Sequence, residues 1–156
     1  MLDAFKRLMQ RLSAPEEEAK LAGDELQLAT AALLVHAAAV DGHVAAAERA
    51  VLKALMERHF ALPPDEAEAL VAEAEERERS AIDIYTFTRV LQGKLAQEDR
   101  QHIVELMWEI VAADGEVHPY ESNLVWRAAE LIGVSTRDRV TLRQQVFARH
   151  GMDGSR

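Results

Sequence analysis

The stretch AVDGHVAAAE, residues 39–48, returns 73 positions later as AADGEVHPYE, residues 112–121. Both copies write Asp-Gly-x-Val-x-x-x-Glu after an apolar run, and comparing residues 33–48 with 106–121 gives six identities in sixteen. Glycine takes left-handed backbone without steric cost, so Gly42 and Gly115 read as helix stops. Val44 and Val117 then turn an apolar side chain back towards a core. In the second copy Pro119 suits the first position of a new helix and Glu121 the third, where a glutamate can reach back to a free N–H. The pattern therefore predicts two copies of a helix–turn–helix, plausible partners about a pseudo-twofold axis. The aspartates fit less easily. Asp41 and Asp114 fall at the carboxyl end of a helix, where the macrodipole disfavours negative charge. Two offsets are open: backbone N–H groups of the turn, or a cation met by the helix-end carbonyls, the aspartate and the glutamate seven residues on. The spacing is not that of an EF-hand, whose glycine stands sixth rather than second.

Working outward, every apolar pattern from Asp24 onward has a helical period and none alternates as a half-buried strand would. The expectation is an all-α, compact bundle of about seven helices, near 24–40, 46–60, 64–79, 84–93, 97–113, 119–132 and 136–148. Pro63-Pro64 opens a helix, Gly133 closes one, and Ser135 can cap the next. The first helix is apolar nearly all round and reads as the central one; Ile103, Leu106, Met107, Trp108, Ile110 and Val111 give 97–113 the same role. Between Asp65 and Glu78 stand seven acids and one base, Arg77, read as a solvated helix face. Residues 1–12, MLDAFKRLMQRL, place Leu2, Phe5, Leu8, Met9 and Leu12 at helical spacing while Lys6, Arg7 and Arg11 carry the charge, which predicts a short basic amphipathic helix. Residues 13–23 read as a linker, 24–150 as the helical domain and 151–156 as a flexible tail.

Composition narrows the chemistry. The chain has 156 residues, 27 acidic and 18 basic, for a formal charge of −9. That disfavours a nucleic-acid surface and makes cations or basic partners more natural companions. There is no cysteine, which removes thiolate ligands and cysteine nucleophiles and fits a reducing, cytoplasmic setting. The longest apolar run, residues 28–40, is broken by Thr30 and His36 and falls short of the roughly 20 residues of a membrane span. Residues 1–12 lack the uninterrupted apolar centre of a signal peptide, so peripheral contact with a membrane surface or packing on the domain are their two readings. There is no Gly-rich phosphate loop, no Gly-x-Ser-x-Gly and no His-Glu-x-x-His, and no Glu-x-x-His pair for a di-iron carboxylate site. His36 reads as a satisfied histidine of an apolar helix. His102, Glu105 and Glu109 share a face that reads as a solvated stripe or, less simply, a His–carboxylate site.

Taken in order and at this separation, AVDGHVAAAE, DIYTFTRVL (residues 83–91) and AADGEVHPYE make the chain resemble the TerB family of tellurite-resistance-associated helical proteins. Its fold is similar to the N-terminal part of the DnaJ-like protein DjlA. The resemblance spans about residues 24–150 and implies two similar helix pairs and an acidic site thought to hold metal. Carried over by position, that site is Asp41, Glu48, Asp114 and Glu121, with His36 standing where the resemblance leads one to expect a further acid. The resemblance implies a non-enzymatic binding module in a stress-response setting, with a divalent cation as cofactor, Ca²⁺ ahead of Mg²⁺ or Mn²⁺. The alternative is a metal-free helical adaptor that docks a protein partner or a membrane surface.

Overall fold

Seven apolar stripes of helical period have one economical solution, in which each helix turns its stripe onto a shared core. The computed structural model describes residues 3–4, 23–39, 44–113, 115 and 117–152. Among these the chain is all-α, with no strand: α1 (23–38), α2 (Ala46–His59), α3 (Pro64–Ser80), α4 (Tyr85–Gln92), α5 (Gln97–Ala112), α6 (Pro119–Ile132) and α7 (Thr136–Arg149). Each matches its predicted helix to within two residues. Residues 3 and 4 are helical as well; the rest of the predicted N-terminal helix, and residues 13–22 of the linker, lie outside the described residues.

The two most apolar helices carry the core. From Ala29 to Ala39 every residue of α1 and its end is buried except His36. On α5, Ile103, Val104, Met107, Trp108 and Ile110 are at most 1 % exposed, and they join the α1 residues in one cluster. α5 packs along α7 and against α6 and α2; α2 packs on α3, and α4 on α6. Trp108 meets Phe147 of α7 edge to face, ring centroids 5.5 Å apart, the geometry that aromatic quadrupoles favour. The DIYTFTRVL segment forms α4, with Asp83 accepting from the Tyr85 N–H at 2.9 Å and Ile84, Phe87 and Leu91 turned into the core.

The helix ends follow the expected chemistry. Pro64 is in the first turn of α3 and Pro119 in that of α6. The Ser135 hydroxyl accepts from the Asp138 N–H at 3.2 Å and caps α7. Gly133, at φ 86°, ends α6, with its N–H on Glu130 O and the Val134 N–H on Ala129 O, the paired bonds of a Schellman motif. Two boundaries move. Gly23, read as linker, is helical. Gly151 and Met152, read as tail, finish α7 in the same Schellman pattern: Gly151 stands at φ 68°, and the Met152 N–H reaches Phe147 O at 2.8 Å.

Candidate functional site

The second Asp-Gly turn is built as its residues dictate. α5 stops at Ala112, and Gly115, at φ 80°, donates its N–H to Ala112 O at 3.0 Å. Val117 packs against the core, His118 is extended, and α6 starts at Pro119. Glu121 is the third residue of α6, and the N–H groups of Glu121 and Ser122 both donate to His118 O. In the first copy α1 gives way after residue 38, Val44 packs against the core, Ala45 is extended, and Glu48 is the third residue of α2. The Arg49 N–H donates to Ala45 O at 2.9 Å. The two glutamates therefore hold the same position of corresponding helices. Neither residue preceding the helix supplies a side-chain cap, and each glutamate brings the negative charge that the positive end of the helix dipole favours. Glu121 is only 8 % exposed, whereas Glu48 is half-buried.

Of the four predicted metal-site residues, the structure thus describes two. Asp41 and Asp114 lie outside the described residues, as does Gly42. Among the described residues no group of three or more His, Asp or Glu side chains is arranged to hold a metal ion. His36 is half-buried, and its Nδ1 stands 2.9 Å from Glu78 Oε1, so one ring nitrogen is already engaged.

Two networks of ion pairs run between helices, and sequence reasoning missed both. Beside Glu48, Arg49 reaches across to α3, with Nη2 2.7 Å from Glu68 and Nε 2.9 Å from Glu75. The carboxylates hold the Arg49 guanidinium charged more firmly than usual, and Arg49 in turn pulls the Glu68 carboxyl down. The acidic run of α3 is therefore not one solvated face, because Glu68, Glu75 and Glu78 are engaged by α2 and α1. The seven-residue spacing of Glu68 and Glu75 was a visible hint; their partner, 19 to 26 positions away, was not. The second network ties α5 to the end of α7. Arg149 bridges Glu105 at 2.7 Å and Glu109 at 3.0 Å, and His150 Nε2 stands 2.7 Å from Glu109. The expected solvated stripe is thus half of an interhelical clamp. His102 sits beside it with its ring centroid 4.7 Å from that of His59 on α2. Burial, then the neighbouring His102, lowers the pKa of His59 against an opposing pull from Asp99. These side chains line an open cleft of about 390 Å³.

The family profile described as Tellurite resistance protein TerB matches residues 27–144, most of the chain and both helix pairs. No curated protein and no solved structure matches it. With the helix order, both Asp-Gly motifs and the intervening α4 segment inside that match, the chain belongs to the TerB family, as an all-helical domain.

Proposed function

We propose that this domain is a binding module that holds a divalent cation at its two Asp-Gly turns, with Asp41, Glu48, Asp114 and Glu121 as the carboxylates. The observation that carries this reading is the equivalent placement of Glu48 and Glu121, each at the third position of the helix that leaves the turn, one of them largely buried. In the sequence an aspartate stands seven residues before each of these glutamates, and its carboxylate would supply the other half of an oxygen shell. All four ligands are hard oxygens, which favours Ca²⁺, then Mg²⁺ or Mn²⁺. Two carboxylates per turn leave positions for carbonyls and water, so affinity belongs at the weak end for calcium, roughly 10⁻⁴ to 10⁻³ M. Membership of a family named for tellurite resistance supports a role in stress response, and the cysteine-free composition suits the cytoplasm.

Calorimetric titration of the full chain with Ca²⁺, Mg²⁺ and Mn²⁺ tests the proposal. Glu48→Gln and Glu121→Gln keep an acceptor at the third helical position but remove the charge, so each should weaken Ca²⁺ binding without unfolding the domain. Indifference of the unaltered chain to all three ions would overturn the cation reading in favour of a metal-free adaptor.

A further inference from the structure

Two of the α3 acids that Arg49 and His36 leave unclaimed, Glu66 and Glu73, line a different surface. Between the start of α1 and α3 runs an open groove of about 630 Å³. Leu28, Leu62 and Leu70, each only partly buried against the core, give it an apolar floor, and Asp24, Glu66 and Glu73 stand exposed at its walls. Glu25, also at the rim, is paired with Lys94 at 3.2 Å; Arg77 is the single base among the described lining residues. We propose that this groove seats the chain's own N-terminal segment, residues 1–12, with Leu2, Phe5, Leu8 and Leu12 on the leucine floor and Lys6, Arg7 and Arg11 towards the carboxylate walls.

Three observations select this occupant. The pattern of the segment, apolar at helical spacing with basic residues between, is the complement of an apolar floor with acidic walls. The chain enters the domain at the groove itself, because Asp24 is one of the wall residues. The ten residues from 13 to 22 can span up to roughly 33 Å, ample for a twelve-residue helix of about 18 Å to fold back. Asp3 and Ala4, which fall on the polar side of that pattern, are helical and exposed. Tethering also raises the local concentration of the segment to the millimolar range, so a modest intrinsic affinity suffices. This docking is independent of the cation reading.

Because the chain has no cysteine, disulfide trapping in the full-length protein can test it. Met9→Cys is combined with Ala69→Cys, an exposed position lining the groove, or with Gln145→Cys, an exposed position on α7. Under mild oxidation the 9–69 bridge should form within one chain at least about tenfold faster than the 9–145 bridge. Adding Glu66→Lys and Glu73→Lys, both at exposed sites, should remove most of that advantage. Equal rates for the two pairs, or an advantage untouched by the charge reversal, would overturn the proposal. Covalent dimers that disappear on dilution would place the segment in the groove of a second copy and overturn it as an intramolecular contact.

Discussion

At the scale of single residues, the left-handed helix ends separate what a side chain costs from what it touches. Gly133 and Ala61 occupy the same kind of position: Ala61 stands at φ 51° past the end of α2, and the Leu62 N–H closes back on Glu57 O at 3.0 Å. A Cβ costs roughly 1–2 kcal/mol in that conformation, offset in part by the greater entropy that glycine loses on folding. Ala61→Gly should therefore stabilise the fold by about 0.5–1 kcal/mol. Gly133→Ala has strain and a collision together, since a Cβ would lie 2.7 Å from Arg100 Nη1, which donates to Ile132 O. It should cost more than about 1 kcal/mol and more than Gly115→Ala, whose Cβ would meet nothing within 4 Å. Urea midpoints of the three variants check the order. Legibility at this scale tracks the residue type. Gly133 and Gly115 announce their conformation, whereas Ala61 takes a glycine's place without any signal in HFALPP.

At the scale of elements, the burial of the His59 ring, and after it the neighbouring His102 of α5, should make the bundle sensitive to pH. His59 has its pKa lowered in the folded state, so below about pH 6.5 the unfolded chain takes up a proton before the folded one does. Its contribution to stability is complete above that range and declines as the pH falls towards the folded-state value. Charged or titratable groups facing it are His102 and Asp99 of α5, with Arg58 of α2, Glu105, Arg149 and His150 around the same cleft. His59→Asn should lose less stability than the unaltered chain between about pH 7.5 and about pH 5, measured as the shift of the urea midpoint. If both lose the same amount, the His59 ring is not desolvated in the folded state. Helix positions were readable because each element has its own apolar period. The couplings between elements were not: Arg149 with Glu105, or His36 with Glu78, join residues more than forty positions apart, and nothing local in either segment encodes the partner.

At the scale of the whole molecule, α1 and α5 are buried by the elements around them, and in the sequence each is followed by one Asp-Gly motif and then by a helix with glutamate third. That much of the site was legible because a repeat shows itself without an alignment. The burial difference between Glu48 and Glu121 was not, because it depends on what packs over each turn, and the repeat is silent on its surroundings. The acidic composition gives the cation reading a global consequence, since an ion bound only to the folded state stabilises the whole domain by mass action. At about ten times its dissociation constant an ion contributes about 1.4 kcal/mol, roughly 3–6 °C in melting temperature for a chain of this size. The most direct measurement compares thermal unfolding of the unaltered chain and of Asp41→Asn with Asp114→Asn, each with and without millimolar Ca²⁺. Amides can still accept the hydrogen bonds of the turn and relieve the clash with the helix dipole, so the double variant should fold, melt no lower without calcium, and gain none of the calcium-induced rise. A chain that shows no rise with Ca²⁺, or a double variant that keeps all of it, would contradict a cation site at the paired turns.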